Sequence, residues 1–154
     1  MGAPLPKFRI TTLPLGTVKV VNGTEVKKVV VPSKNVTQDN VKSNANLLVM
    51  VFNPNCGHCE LQTDTLERYL HLFKKSKLVL ICAPSMGTYL ESFEKMTNCY
   101  KYPKILVGMD STAFIRKVYL YKDMPQINIY NKDRKLIRTF IGGASMDSLK
   151  HYIQ

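Results

Sequence analysis

The chain has 154 residues, with 22 Lys and Arg against 11 Asp and Glu, 45% hydrophobic residues, 4 Cys, 8 Gly and 8 Pro. That is enough apolar material for one domain with a packed core, and it excludes a disordered chain and a collagen-like repeat. The longest apolar runs, Leu47 to Phe52 and Leu78 to Ala83, fall far short of the roughly 18 residues a membrane-spanning helix needs.

The formal net charge of +11 implies attraction to acidic surfaces, which include nucleic acid, anionic lipid and acidic protein faces. The basic residues are spread along the chain, with small clusters at Lys27 and Lys28, at Lys74, Lys75 and Lys77, and at Lys132, Arg134, Lys135 and Arg138. They read as a solvated basic surface. No nucleic-acid recognition motif accompanies them, so no specific nucleic-acid partner is expected. No internal repeat and no low-complexity segment is present, which removes solenoids and arrays.

Leu5 to Val31 is rich in Val, Thr and Ile and is punctuated by Pro14, Gly16 and Asn22-Gly23, which predicts two or three short strands with a tight hairpin at the Asn-Gly pair. Ser33 to Asn44 is polar with Val36 and Val41 interspersed and reads as one short surface helix capped by Ser33. Leu47 to Phe52 has the length and unbroken apolarity of a central strand covered on both faces. It runs into Asn53-Pro54-Asn55-Cys56.

After Cys56 the apolar positions Leu61, Leu66, Tyr69, Leu70, Leu72 and Phe73 recur at three- and four-residue spacing, predicting a helix to about Lys75. Leu78 to Cys82 is a second buried strand, and strand-helix-strand order implies parallel pairing with a right-handed crossover. A helix from about Met86 to Asn98, a strand at Ile105 to Val107 and a helix capped by Asp110 or Ser111 follow. Gln126 to Tyr130, a turn at Asn131 to Arg134, and Leu136 to Phe140 make a hairpin, and an amphipathic helix over Ser145 to Ile153 covers it.

Chemistry is concentrated at Cys56-Gly57-His58-Cys59. A strand giving way to a helix places Cys56 where unpaired N–H groups and the positive end of the helix dipole favour a thiolate. The spacing lets the two sulfurs meet within one turn. Cys56, at the exposed first position, is the expected nucleophile, and Cys59, one turn in, the expected resolving thiol. His58 adds positive charge or a donor beside Cys56, which favours the reduced form and makes the disulfide a better oxidant. Passive readings of the pair are a structural disulfide or half of a zinc or thiol-metal site. No metal site is predicted, because Cys82 and Cys99 are far apart in sequence and lie on different elements. Those two read as buried small hydrophobes, with a second disulfide as the alternative. Glu60 reads as a first-turn carboxylate, with general-base help to Cys59 as its alternative.

The buried strand, the C-G-H-C at a helix start and Met124-Pro125 before a strand and hairpin resemble the thioredoxin superfamily over roughly residues 47–153. Ala3-Pro4-Leu5-Pro6-Lys7-Phe8, the leading hairpin, and the extra helix and strand between Cys82 and Asp110 resemble its TlpA/ResA-like branch. The resemblance implies an α/β fold of thioredoxin-like type, a central mixed β-sheet flanked by helices, with an N-terminal β-hairpin and an inserted helix-strand. A single domain over residues 1–154 is expected, residues 1–45 being an N-terminal extension and 46–154 the core.

The resemblance further implies a thiol-disulfide oxidoreductase that needs no cofactor beyond the Cys56–Cys59 dithiol or disulfide, with Cys56, Cys59, His58 and Gly57 catalytic. Pro125 falls where the family has a cis-proline facing the cysteines, and Met124 where backbone groups receive an extended substrate. Pro84 and Pro103 are the other proline candidates for that place. Gly57-His58 matches the dipeptide of protein disulfide isomerase domains. Two departures stand out: Met50 occupies the place of the family's buried acid, and Phe52-Asn53-Pro54-Asn55 contains no Trp. The implied partners are protein disulfide or dithiol substrates and an upstream redox protein. The implied location is periplasmic or extracytoplasmic, with a membrane tether outside this chain; the cytoplasm is the alternative, since no leader is visible. A non-catalytic binding module on the same fold is the alternative function.

Overall fold

Leu47–Val51 (β5) is buried at every position, and the sheet is built outward from it. In a computed structural model, residues 1–21 and 23–153 are described, without the side chains of residues 15–21 and 24–31. The strands are Arg9–Thr11 (β1), Leu15–Val21 (β2), Thr24–Val31 (β3), Asn35–Thr37 (β4), β5, Lys77–Cys82 (β6), Ile105–Asp110 (β7), Gln126–Tyr130 (β8) and Leu136–Ile141 (β9). The α-helices are Gly57–Arg68 (α1), Gly87–Thr97 (α2), Phe114–Val118 (α3) and Met146–Leu149 (α4). Seven strands form one mixed sheet in the order β4-β1-β7-β6-β5-β8-β9, while β2 and β3 pair separately as an antiparallel hairpin.

Strand alternation divides β5 between two cores. Leu48 and Met50 pack with Leu66 of α1, Leu80, Leu90 and Phe93 of α2, Ile127 and Leu149. Leu47 and Val49 face the other way, toward Phe8, Ile10, Val79, Ile81 and Phe114. Each fully buried Leu or Phe contributes about 1.5–3 kcal/mol of transfer free energy, so covering β5 on both faces secures the strand that leads to Cys56. The parallel pairs β5/β6 and β6/β7 carry the helical crossovers, as the strand-helix-strand order predicts. The N-terminal extension contributes β1 and β4 to one edge of the sheet through β1/β7 pairing. Among the described residues no helix is long and apolar enough to cross a membrane.

Several expectations are corrected. Residues 33–44 are not a helix: Asn35–Thr37 is extended, and Thr37 caps only a short 3₁₀ turn, Gln38–Val41. The Asn40 side chain accepts from the Thr37 backbone N–H at 2.8 Å, closing a local capping box that gives this polar segment its own hydrogen bonds without a long helix. Helix α1 stops at Arg68, with a 3₁₀ turn at Leu70–Leu72, rather than running to Lys75.

Strand β7 extends to Asp110, so α3 starts later, at Phe114. Asp110 still serves that helix from the strand end: its carboxylate accepts from the Thr112 and Ile115 backbone N–H groups, each at 2.9 Å. The C-terminal helix is only Met146–Leu149, capped by Ser145. Arg134 is not part of a solvated basic face; its guanidinium donates to the carbonyls of Ala45 at 2.8 Å and Val41 at 2.6 Å. The predicted Asn22-Gly23 turn falls partly outside the described residues, Asn22 being among those not described, while Gly23 has φ +76°. The Lys27 and Lys28 side chains lie outside the description as well.

Candidate redox site

Strand β5 ends on a set of local devices that deliver Cys56 to the start of α1. The Phe52 N–H donates to the Ile81 carbonyl at 3.1 Å, carrying the ladder one residue past the strand. The Asn53 side chain then accepts from the Asn55 N–H at 2.8 Å, an Asx turn that reverses the chain beside the buried Pro54. Phe52 is locked beneath by Phe93, ring centroids 4.6 Å apart.

Cys56 is the N-cap residue, with extended φ −135° and ψ 123°. Its carbonyl accepts from the Glu60 N–H at 3.2 Å, while its side chain makes no capping hydrogen bond. The half-buried Cys56 sulfur thus sits beside the unpaired N–H groups of the helix start. Cys59, one turn further, is fully buried, and Cys56 packs against the apolar cluster that contains it. Burial, opposed by a hydrogen bond from the Asn53 backbone, pushes the Cys59 thiol up to about 12; the neighbouring Cys56 and Glu60 add to the rise. All four cysteines are free thiols in this structure.

Gly57 and His58 are exposed on the first turn, and a Cβ built on Gly57 meets nothing within 4 Å. Met50, two residues before the Phe52 end of the strand, is wholly buried in the core. Cys82 and Cys99 are buried in the same apolar cluster as Cys59, and their thiols are also pushed up to about 12, chiefly by burial.

The Met124–Pro125 peptide bond is cis. Antiparallel pairing sets Gln126 opposite Val51, so Pro125 lies alongside the Phe52 end of β5, where the chain turns to Cys56. Met124 is half-buried against the cluster that contains Cys59 and touches Cys56. His71 and His151 are exposed helix and turn residues away from this convergence.

Two residues at the site escaped sequence reasoning. Gln62, one turn beyond Cys59, is buried; its Oε1 accepts from the Ala144 N–H at 2.8 Å, and its Nε2 is buried without a partner. A Cβ on Gly143 would stand 2.8 Å from Gln62 Oε1 and 3.8 Å from Pro125 Cγ, and Gly143 has φ +103°, so only glycine fits there without strain. Helix α1, the Pro125 turn and the Gly143-Ala144 loop therefore close on one another. The signal for Gln62 was its spacing from Cys59 and Leu66. The apolar stripe expected to include Leu61 is instead Cys59, Gln62, Thr63 and Leu66, leaving Leu61 69% exposed.

No family model matches the sequence, and no curated protein matches it either. Solved structures do match the fold. The thioredoxin domain of a thiol-disulfide oxidoreductase from Bacteroides vulgatus superposes with a TM-score of 0.68 at 13% identity, covering 99% of this chain and 97% of that one. StoA from Bacillus subtilis gives 0.59 at 16% identity over 77% of this chain and 88% of its own. A secreted Mycobacterium tuberculosis disulfide oxidoreductase homologous to Escherichia coli DsbE gives 0.59 at 15% identity over 77% and 86%. The chain has a thioredoxin-like α/β fold.

Proposed function

We propose that the chain is a thiol-disulfide oxidoreductase acting on protein disulfides or dithiols through Cys56 and Cys59. The observation that carries this reading is the asymmetry of the pair: a half-exposed sulfur at a helix N-cap, packed against the cluster that holds a buried thiol one turn in.

In the reducing direction the Cys56 thiolate attacks a substrate disulfide. A bond forms between Cys56 and one substrate sulfur, and the other leaves as a thiolate. Cys59 then loses its proton to solvent and attacks the Cys56 sulfur, forming the Cys56–Cys59 disulfide and releasing the second substrate thiolate. The substrate gains two electrons and the protein loses two. Run backward, the same steps oxidise a dithiol.

His58, exposed beside Cys56, holds the reduced form and biases the pair toward the oxidising side; Gly57 leaves the sulfur open to approach. Pro125 and Met124 form the rim against which the substrate chain lies. Residues 1–154 act as one unit, with an upstream redox protein restoring the pair. The site is extracytoplasmic in this reading, as the secreted M. tuberculosis neighbour is.

The test is a Cys59→Ser variant incubated with a disulfide-bonded protein such as insulin. A mixed disulfide on Cys56 that persists until a reductant is added is the expected product. Failure of wild type to reduce insulin, together with no adduct on Cys59→Ser, defeats the reading and leaves a binding module on the same fold.

A further inference from the structure

The C-terminal ends of β5, β6 and β7 lie side by side, and only the first leads to the cysteines. Beyond the other two, between the Ala83-Pro84 turn and α3, lies an open groove of about 520 Å³ whose walls include Pro84, Ser111, Ala113, Ile115, Arg116 and Tyr121. Because Phe52 bonds to Ile81, the Ala83 end of this groove adjoins the turn that carries Cys56.

One wall is held in an unusual shape. Tyr121 has φ +55°, a left-handed conformation uncommon for an aromatic residue, and its side chain is among those left exposed, at 72%. The loop is strapped from below by buried Gln126, which accepts from the Leu120 N–H at 2.9 Å and donates to the Val118 carbonyl at 2.8 Å. The Tyr119 hydroxyl donates to the Lys122 carbonyl at 2.6 Å, and its ring lies 4.9 Å from that of Tyr121. Apolar surface is thus held out toward solvent, with the ordering entropy already met in the free protein.

The charge around this surface is one-sided. Arg116, Lys117 and Lys122 are exposed on the segments that form it, against Asp123. Asp110, also on the wall, is only 4% exposed and is committed to the Thr112 and Ile115 N–H groups. Arg116 makes no ion pair among the described residues.

We infer that this groove is a specificity site for the substrate segment flanking the reactive cysteine, and that the segment it selects is an acidic peptide bearing an apolar side chain. The apolar side chain lies against Tyr121 and Ile115, and the carboxylates face Arg116 and Lys122. The inference rests on the redox reading above and names its substrate class.

Two peptide disulfides of equal length, one with Glu and Asp around the cysteine and one with Lys and Arg, are compared with the uncharged bis(2-hydroxyethyl) disulfide. At low ionic strength the acidic peptide is expected to react with a kcat/KM about tenfold above the basic one, the ratio shrinking as salt is added. Arg116→Glu combined with Lys122→Glu inverts the ratio and leaves the neutral disulfide unchanged. Tyr121→Ala lowers both peptide rates about fivefold without touching the neutral disulfide. These positions are exposed, so the variants fold. Equal peptide rates in wild type, or a ratio unmoved by the charge reversals, overturns the specificity site while leaving the redox reading intact. Absence of reaction with all three disulfides defeats the redox reading and this inference together.

Discussion

The chain carries two sets of thiols in one fold, and they differ in exposure and in what surrounds them. Cys56 and Cys59 stand at the start of α1, one half-exposed and packed against the apolar cluster in which the other is buried. Cys82 and Cys99 are both buried; Glu94 bears on each of them, joined by Asp110 at Cys82 and by Glu67 at Cys99. Desolvation and nearby carboxylates both oppose a thiolate, so the second set is held as inert packing. Being a cysteine in a redox-type fold confers nothing without a helix start and an opening to solvent.

The sharpest way to break this comparison is to delete one sulfur at a time. Cys56→Ser is expected to reduce disulfide exchange to background, whereas Cys82→Ser and Cys99→Ser keep rates within about twofold of wild type. Alkylation with iodoacetamide under native conditions should label Cys56 first, with Cys82 and Cys99 labelled only on unfolding.

The next effect lies in the resolving step. In the mixed disulfide Cys56 no longer competes as a thiol, but burial still holds Cys59 protonated, and Met50 offers it no base. The thiolate fraction of a group pushed up to about 12 rises about tenfold per pH unit well below that value. Decay of the mixed disulfide, followed by acid quenching, should therefore accelerate about tenfold per unit between roughly pH 7 and 9. A flat profile would reveal a base that the structure does not place there.

Smaller effects concern stability. Cys82→Ser or Cys99→Ser puts a hydroxyl into an apolar cluster and should cost about 1–3 kcal/mol in urea unfolding. Glu94 is buried and its carboxyl is raised from 4.5 to about 7, first by burial and then by Glu91. The folded chain then holds a proton that the unfolded chain has already lost, so stability falls as pH rises through that window. Glu94→Gln should stabilise the protein at pH 8, change little at pH 4.5, and flatten the slope between. Glu67, also raised to about 7, leaves a residual slope of the same sign.

How much of this was legible beforehand follows the range of the interactions involved. Leu47–Val51 and Leu78 to Cys82 announce themselves because a strand covered on both faces must be apolar at every buried position. The C-G-H-C at a helix start was legible for a local reason, the strand that precedes it. Residues 33–44 misled because a polar stretch with Val36 and Val41 interspersed serves a short strand and a 3₁₀ turn as well as a helix. The face of α1 was misjudged because Leu61 is exposed while Gln62 points inward to the Ala144 N–H, a partner 82 residues away. Arg134 resembled any surface cation until the Val41 and Ala45 carbonyls, distant in sequence, came to meet it. Contacts of that kind leave no periodicity to read.

The measurement that bears most directly on the central claim is the reduction potential of the Cys56–Cys59 pair, obtained by equilibration with glutathione buffers, acid quenching and thiol trapping. A single two-electron transition confined to Cys56 and Cys59 is predicted, with a potential nearer about −180 mV than about −270 mV because His58 and the helix start favour the dithiol. A pair that never equilibrates, or a transition that maps instead to Cys82 and Cys99, would contradict it.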